Sequence, residues 1–232
     1  IEAVLNHPQV NVEAIYRAGF SVVVDGINSV GGLVMPQLLE ALGVTCHKVH
    51  CEPDGNFAHN PEPLPAHLTD LSSEVVARKA SLGISVDPDV DRLALVCEDG
   101  TMFGEEYTLV ACADYVLQKF TSENPGKTVH TVSNLSSTRA LKDVTQRYNG
   151  SYTAAAVGEV NVVQEMKRTK SIIGGEGNGG VILPSLHYGR DALIGIALFL
   201  SHLAERKIFA TALRNSYPVY YMSKNRVQLK EE

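Results

Sequence analysis

The chain has 232 residues, and its 20 lysines and arginines against 26 aspartates and glutamates give a formal net charge of −6. Its composition, 44% apolar and 20% charged, is that of an ordinary globular protein and excludes disorder, because enough apolar surface is available to offset the chain entropy. A transmembrane helix is excluded because no apolar run reaches about 18 residues, and the acidic balance with only 6% aromatic residues argues against nucleic-acid binding.

Signals for strands and helices alternate along the first half of the chain. The apolar run 21–25 ends at Gly26, which indicates a buried strand that leads into a turn. The stretch 33–42 has leucines at helical spacing and stops at Gly43, which is typical of a helix C-terminus. In chain order we predict a short initial helix, strand 21–25, helix 33–42, strand 44–50, a loop rich in Pro, Asn and Gly at 51–65, helix 66–80, and strands 82–86 and 93–97.

A helix over 105–120 is predicted to connect the first half to the second. In the second half we predict strands at 128–133, 151–157, 171–173 and 181–183, and helices at 137–148, 160–168 and 191–206. Asp191 is expected to cap the N-terminus of the last helix. Because both halves follow the same order of strands and helices, the predicted fold class is α/β, with two similar three-layer domains built on mostly parallel mixed sheets.

The first chemical signal is the segment 87–92, DPDVDR, which follows an apolar strand. Three alternating carboxylates repel one another unless a cation lies among them. Oxygen ligands suit Mg²⁺, which leaves coordination positions open for water and phosphate, and Arg92 adds donors that fit phosphate oxygens. The segment therefore predicts a metal-assisted phosphoryl-transfer site with Asp87, Asp89 and Asp91 as metal ligands.

Three other interpretations of this segment are open. It could be a solvated acidic turn, although its flanks are core strands. It could be an EF-hand loop, but Arg92 occupies the position of the required glycine and a strand follows where a helix should. It could belong to an aspartyl phosphatase of the haloacid dehalogenase type with Asp87 as nucleophile. That type has Thr or Val where this chain has Asp91, and we keep it as the alternative function.

The second chemical signal is the segment 174–180, GGEGNGG. Its glycines match G-x-G-x-x-G, but a dinucleotide site needs a helix after the loop, and a strand is predicted there. A flexible backbone that presents Glu176 and Asn178 suits the hydroxyl groups of a sugar; a tight turn with an exposed glutamate is the alternative. Arg190 could bind phosphate or form a surface salt bridge. Because both loops follow equivalent strands, we expect them to face one kind of cleft.

In these residues the chain resembles the α-D-phosphohexomutases, the family of phosphoglucomutase, phosphomannomutase and phosphoglucosamine mutase. The resemblance covers residues 1 to about 206. It rests on DxDxDR at 87–92, the sugar loop at 175–179, DGNF at 54–57 with NPEP at 60–63, and VGE at 157–159. It implies that residues 1–103 are the second domain of that family, that 104–208 are the third, and that 209–232 are a linker toward a fourth. The first and fourth domains of the same polypeptide are therefore expected partners.

The resemblance also implies a mechanism. A phosphoserine of the first domain would phosphorylate a hexose phosphate, and the bisphosphate would reorient and return its other phosphate. Mg²⁺ on the three aspartates would neutralise the group in transfer, and Arg92 would steady the phosphoryl oxygens as the catalytic residue. Glu176, Asn178 and Arg190 are assigned to substrate binding. The string AHNP at 58–61 lacks the serine of the family motif, so the donor serine is expected outside this chain.

Cysteine usage and the first residue bear on the setting of the protein. The four cysteines show no CxxC spacing and are expected to be reduced thiols of a cytoplasmic protein. The chain starts with Ile1 rather than methionine, so we expect a piece of a longer protein that is inactive by itself. A non-catalytic sugar-binding module is the non-enzymatic alternative.

Overall fold

Two four-stranded sheets organise residues 1–221, the part of the chain that the computed structural model describes. The first contains β1 (Ser21–Asp25), β2 (Thr45–Val49), β3 (Leu82–Val86) and β4 (Leu93–Cys97) in the order β2-β1-β3-β4. The second contains β5 (His130–Asn134), β6 (Ser151–Ala155), β7 (Ile173–Gly175) and β8 (Val181–Ile182) in the order β6-β5-β7-β8. In each sheet the first three strands of the sequence run parallel and the fourth is antiparallel. The predicted α/β class with two similar halves is confirmed.

The helices connect the strands and cover the sheets. They are α1 (Glu2–Leu5), α2 (Val12–Ala18), α3 (Gly31–Ala41), α4 (Thr69–Arg78), α5 (Glu105–Glu123), α6 (Ala140–Arg147), α7 (Glu159–Thr169), α8 (Ala192–Arg206) and α9 (Ala210–Asn215), with a 3-10 turn at Pro65–His67 before α4. As predicted, Asp191 caps α8: its Oδ1 accepts hydrogen bonds from the backbone N–H groups of Leu193 at 2.7 Å and Ile194 at 3.2 Å. None of these helices is long and apolar enough to cross a membrane.

Helices α5 and α8 lie between the two sheets and unite the halves in one core. Helix α5 contacts β4 of the first sheet as well as β7 and β8 of the second, and α8 contacts β4 and β8. The apolar core is continuous from α3 through these two helices to the second sheet. Two smaller clusters fill the outer faces, under α4 on the first sheet and under α7 on the second. The relative position of the two halves is therefore fixed by apolar packing.

Alternation along β1 explains how its sheet is covered on both faces. Val22 and Val24 belong to the central core, and Val23 belongs to the cluster under α4. Successive side chains of a strand point to opposite faces. A parallel strand that is buried on both sides therefore reads as the continuous apolar run seen in the sequence.

The clearest difference from the predicted elements is at β7. The sequence predicts strand 171–173 followed by a glycine loop from Gly174, whereas the strand includes Gly174 and Gly175. A Cβ atom on Gly174 would lie 2.6 Å from the carbonyl oxygen of Val132 and 2.7 Å from the sulfur of Met166. The glycine is thus needed for close packing of the strand between β5 and α7, and the flexible loop begins only at Glu176.

The end of the described chain packs on the body of the protein. Residues 209–221, which fall in the predicted linker 209–232, include helix α9. The hydroxyl of Tyr217 donates to Asp114 Oδ2 at 2.9 Å, and the hydroxyl of Tyr107 donates to the carbonyl oxygen of Pro218 at 2.8 Å. The remainder of the predicted linker, 222–232, lies outside the described residues.

All four cysteines are free thiols. Cys97 and Cys112 are buried, and Cys46 and Cys51 are partly buried. Burial raises the pKa of the Cys97 thiol and that of the Cys112 thiol to about 12, so both stay protonated at neutral pH. They therefore act as small apolar side chains of the core.

The shared layer gives a test of the common core. Phe199 of α8 is fully buried and packs edge-on against Phe103, with ring centroids 4.9 Å apart. Phe199→Ala should lower the free energy of unfolding by about 3–5 kcal/mol, because it leaves a cavity between the two sheets. Phe209→Ala removes a ring that is 69% exposed and should change the free energy of unfolding by less than about 0.5 kcal/mol. Denaturant unfolding measures both values, and equal losses in the two variants would contradict the shared core.

Candidate functional site

The aspartate loop, residues 87–92, brings its three carboxylates together directly after β3. One side-chain oxygen from each of Asp87, Asp89 and Asp91 lies within 4.8 Å of the other two. Asp87 Oδ1 accepts hydrogen bonds from the backbone N–H groups of Asp91 and Arg92, each at 3.0 Å. Val90 has a left-handed backbone with φ of 61°, which turns the loop back on itself. The loop therefore wraps around the carboxylate of Asp87.

The charges of the aspartate loop are only partly compensated by the protein. Burial raises the pKa of Asp87 to about 6, the negative charges of Asp91 and Asp89 add to this increase, and the N–H group of Arg92 opposes it. Oδ1 of Asp91 is buried without a hydrogen-bond partner. Nε of Arg92 lies 3.3 Å from Asp87 Oδ2 and 3.8 Å from Asp91 Oδ1, and Arg190 donates to the other oxygen of Asp91. Three clustered oxygen donors, one of them unsatisfied, fit a hard divalent cation such as Mg²⁺.

The glycine loop, residues 175–180, presents a glutamate that is held in a fixed position. Glu176 is buried, and its Oε1 accepts a hydrogen bond from Asn134 Nδ2 at 2.8 Å. The side-chain oxygen of Asn134 in turn accepts from the Ser137 hydroxyl at 2.6 Å. Asn178 lies near the end of the loop, where its Oδ1 accepts from the N–H group of Gly180 at 3.3 Å. The predicted exposed-turn alternative for Glu176 is therefore wrong, because the carboxylate is buried and hydrogen-bonded.

Arg190 joins the two loops. Its Nη1 lies 2.7 Å from Glu176 Oε2, its Nη2 donates to Asp91 Oδ2, and its Nε lies 3.4 Å from Glu159 Oε2. Burial alone would lower the pKa of Arg190, but the charges of Asp91, Glu176 and Glu159 raise it. A single guanidinium thus neutralises carboxylates from three segments, and its five donors in a planar fork suit that task.

Backbone contacts fix the same juxtaposition. The N–H group of Leu93 donates to the carbonyl oxygen of Gly179 at 3.2 Å, and that of Ala192 donates to the carbonyl oxygen of Val90 at 3.1 Å. Gly179 has a φ of +89°, and a Cβ atom there would lie 2.4 Å from the carbonyl oxygen of Leu93. The close approach of the two loops therefore requires glycine at this position.

The structure adds two residues to the site that the sequence analysis did not select. Asn134 is the last residue of β5, and Glu159 is the first residue of α7. The signal available for Asn134 was its place at the carboxyl end of a parallel strand, where ligands bind in such sheets. Glu159 lies in the segment 157–159 that was noted only as part of the family resemblance.

Comparisons with known proteins find matches for both halves of the chain. A family model for the phosphoglucomutase/phosphomannomutase alpha/beta/alpha domain II matches residues 1–100, and the model for alpha/beta/alpha domain III matches residues 104–220. The chain is 34% identical over 227 residues to the phosphoglucomutase/phosphomannomutase of Thermococcus kodakarensis, which covers 97% of this chain and 48% of that protein. It is 36% identical over 172 residues to the phosphomannomutase/phosphoglucomutase of Pseudomonas aeruginosa, covering 73% and 36%.

A solved structure shows the same fold. The chain superposes on a phosphoglucomutase/phosphomannomutase family protein from Burkholderia thailandensis with a TM-score of 0.77 and 30% identity, covering 90% of this chain and 46% of that one. The chain therefore spans about half the length of the relatives it matches.

Occupation of the aspartate loop should depend on pH in a defined direction. The pKa of Asp87 is raised from 3.8 to about 6, so without metal the protonated native state is favoured, and this contribution to stability is lost as the pH rises through 6. A cation binds the ionised carboxylates. The increase in Tm caused by Mg²⁺ should therefore be larger at about pH 7.5 than at about pH 5.

Two variants control this experiment. Asp89→Asn removes an exposed ligand and should reduce the Mg²⁺ effect at both pH values. Asp99→Asn changes another exposed aspartate, in the turn at the far end of β4, and should preserve it. An Mg²⁺ effect that ignores pH, or one that Asp89→Asn leaves intact, would contradict the assignment.

The contact between the loops can be tested at Gly179. Gly179→Ala should destabilise the protein more than Gly55→Ala, although both glycines have positive φ. Gly55 has open space around the added Cβ atom, so its cost is that of the left-handed backbone, about 1–2 kcal/mol. At Gly179 the clash with Leu93 is added to this cost. Urea unfolding compares the two variants, and equal destabilisation would show that the loops separate freely.

Proposed function

Because the chain belongs to the phosphoglucomutase/phosphomannomutase family, we propose that it forms the metal-binding and sugar-binding half of an enzyme that moves a phosphoryl group between positions of a hexose phosphate. The observation that carries the proposal is the ion-pair bridge from Asp91 through Arg190 to Glu176. It holds the aspartate loop and the glycine loop next to each other, so one hexose phosphate could present a phosphate to the first loop and its hydroxyls to the second.

The aspartate loop supplies the phosphoryl-transfer chemistry. Asp87, Asp89 and Asp91 would hold Mg²⁺, which when bound neutralises charge on a phosphoryl group in transfer. Arg92 is one-third exposed and lies beside Asp87, so its remaining guanidinium donors are available to phosphoryl oxygens. Such a site acts by positioning and charge stabilisation, and its own residues form no covalent bond to the substrate.

The glycine loop supplies the sugar-binding chemistry. Each oxygen of the Glu176 carboxylate already accepts one hydrogen bond, from Asn134 and from Arg190. The two oxygens together have about four acceptor sites, so the side chain can still accept two hydroxyl groups. Asn178 offers an amide donor beside it. A carboxylate and an amide can form hydrogen bonds with the hydroxyl groups of a sugar whichever way the ring is turned. This pair therefore suits a substrate that binds in two orientations.

Arg190 contributes to substrate binding through other residues. Its guanidinium contacts three carboxylates, so a direct bond to a phosphate would require it to release one of them. We propose that it positions Glu176 and Asp91 for the substrate.

The rest of the reaction needs parts that the chain does not supply. Relatives such as the Thermococcus kodakarensis protein are about twice as long as the matched region. We propose that a first domain provides the phosphoserine and a fourth domain binds the substrate's phosphate. Ala58 occupies the place of a serine in the string 58–61, so that segment has no hydroxyl to carry the phosphoryl group. The chain by itself is then inactive.

The comparisons favour this function over a dehalogenase-type phosphatase, and the environment of Asp87 supports the same choice. A carboxylate nucleophile must reach a phosphorus atom, yet Asp87 Oδ1 accepts two backbone hydrogen bonds and Oδ2 faces Arg92. The phosphatase alternative requires that the chain alone hydrolyses a phosphate ester such as p-nitrophenyl phosphate. We expect no hydrolysis.

Interconversion of hexose 1- and 6-phosphates by the complete polypeptide tests the proposal. Asp89→Asn should lower kcat/KM by about 10²-fold or more, because it removes charge from the metal site. Glu176→Gln should lower kcat/KM by about 10- to 100-fold, because it weakens charge-assisted hydrogen bonds to the substrate. Asp99→Asn should leave both kinetic constants unchanged. Unchanged turnover in Asp89→Asn would reject the role of the aspartate loop.

A further inference from the structure

A second group of metal-binding side chains lies at the carboxyl end of β1, outside the proposed phosphoryl-transfer site. Asp25 is the last residue of β1, His50 directly follows β2, and His59 belongs to the long loop that leads to α4. One ligand atom from each of the three side chains lies within 4.8 Å of the others. We call this group the Asp25 cluster.

The geometry of the cluster places two imidazoles on one buried carboxylate oxygen. Nε2 of His59 lies 2.9 Å and Nδ1 of His50 lies 3.4 Å from Asp25 Oδ2. The Asp25 side chain is 1% exposed, and its other oxygen accepts from the N–H group of Ile27 at 3.0 Å. Ligand atoms about 2.0–2.1 Å from a tetrahedral ion lie roughly 3.3 Å apart. The separation at His50 is close to that value, and the separation at His59 is shorter, the length of a direct hydrogen bond.

The hydrogen-bond pattern at His59 leaves a place for either a proton or a metal ion. Nδ1 of His59 lies 2.9 Å from the carbonyl oxygen of Asn60, and because a carbonyl only accepts, Nδ1 carries the hydrogen. In the neutral ring Nε2 then directs a lone pair at the carboxylate of Asp25. Two lone pairs at 2.9 Å repel unless a proton or a metal ion lies between them. A histidine whose second nitrogen donates to a backbone carbonyl is also the usual arrangement of a metal ligand.

A hydroxyl without a hydrogen-bond partner lies on the same face of the first sheet as Asp25. Ser85 is fully buried, and its Oγ has no hydrogen-bond partner. Ser85 is the register partner of Asp25 in the parallel pair of β1 and β3, so the two side chains point to the same face. A buried hydroxyl without a partner costs free energy, so an unpaired polar group lies beside Asp25 in the sheet.

From this geometry we propose that Asp25, His50 and His59 bind a divalent transition-metal ion of the Zn²⁺ class. Two imidazole nitrogens and one carboxylate oxygen suit such ions, whereas the three carboxylates of the aspartate loop suit Mg²⁺. The bound ion links the loop that carries His59 to the carboxyl end of β1. The aspartate loop follows the carboxyl end of β3, the neighbouring strand.

The nearby thiol does not supply a competing ligand. Cys51 follows His50, and its Sγ lies 3.2 Å from the carbonyl oxygen of Val49, to which it donates. The same sulfur also lies 3.5 Å from the carbonyl oxygen of Val24, so the thiol is directed at backbone carbonyls rather than at the Asp25 cluster. The ion is therefore held by nitrogen and oxygen, and its spectrum should lack thiolate bands.

Isothermal titration calorimetry of the chain with Zn²⁺, in excess Mg²⁺, tests the proposal. The unaltered chain should bind Zn²⁺, and His50→Gln and His59→Gln should each weaken binding by about 100-fold or more, since losing an outer-shell partner alone costs about 10- to 100-fold. His47→Gln changes a histidine of β2 that pairs with the Ser21 hydroxyl and should bind Zn²⁺ unchanged. Asp89→Asn should also bind Zn²⁺ unchanged, which separates this site from the aspartate loop.

Cobalt substitution gives a second measurement that needs no variant. Co²⁺ bound to the unaltered chain should show visible bands of a low-coordinate nitrogen and oxygen site without thiolate charge-transfer bands.

Thermal unfolding gives a third measurement. Zn²⁺ should raise Tm in the unaltered chain and in His47→Gln, but not in His59→Gln. The proposal is overturned if the folded chain binds no Zn²⁺, if His50→Gln and His59→Gln bind it as tightly as the unaltered chain, or if the cobalt spectrum shows thiolate ligation.

Discussion

The guanidinium of Arg190 holds together two carboxylates that come from different halves of the chain, Asp91 and Glu176. Both carboxylates are largely buried, and without a shared cation their charges would repel and push the loops apart. Breaking a buried ion pair on one side leaves an uncompensated charge, which is costlier than the pair is stabilising. Arg190 therefore sets the distance between the aspartate loop and the glycine loop more than it adds to overall stability.

This ion-pair bridge is effective because the halves cannot move independently. Helices α5 and α8 each contact both sheets, and the core that they form is continuous between the sheets. The two loops end parallel strands of different sheets but meet through backbone hydrogen bonds at Gly179 and Val90. The apolar layer brings the loops to approximately the right distance. The hydrogen bonds and the guanidinium then define the final geometry of the site.

Sequence patterns predicted those features that depend on local chemistry. Strands 21–25, 82–86 and 93–97 have the predicted bounds because each is an apolar run that ends at a turn or a charged segment. The Asp191 cap follows from the residue that precedes an apolar helix. The exact start of the glycine loop was not predictable, because Gly174 is required by contacts with Val132 and Met166, which are distant in the sequence.

Long-range contacts at the site were also beyond local reasoning. The hydrogen bond from Asn134 to Glu176 and the three ion pairs of Arg190 join residues 14 to 99 positions apart. His50 and His59 are not spaced as in a typical metal-binding motif. Asp25 comes close to them only because β1 pairs with β2, which brings Asp25 next to the segment that follows β2. Periodicity reports which face of an element is buried. It does not report which polar side chains the fold will bring together.

Strand ends account for both clusters of negative charge. Asp25 ends β1, and Asp87 follows β3, its neighbour in the sheet. A carboxylate at such a place is buried by the helices on both faces of the sheet, so it needs partners that it cannot obtain from water. At Asp87 the neighbours are two further carboxylates and Arg92, so the charge of the loop is only partly compensated within the chain. At Asp25 the neighbours are imidazoles, whose ring nitrogens can bind a metal ion together with the carboxylate. The same topology therefore places two groups of candidate metal ligands side by side, one of carboxylates alone and one of two imidazoles with a carboxylate, and the two donor sets suit cations of different hardness.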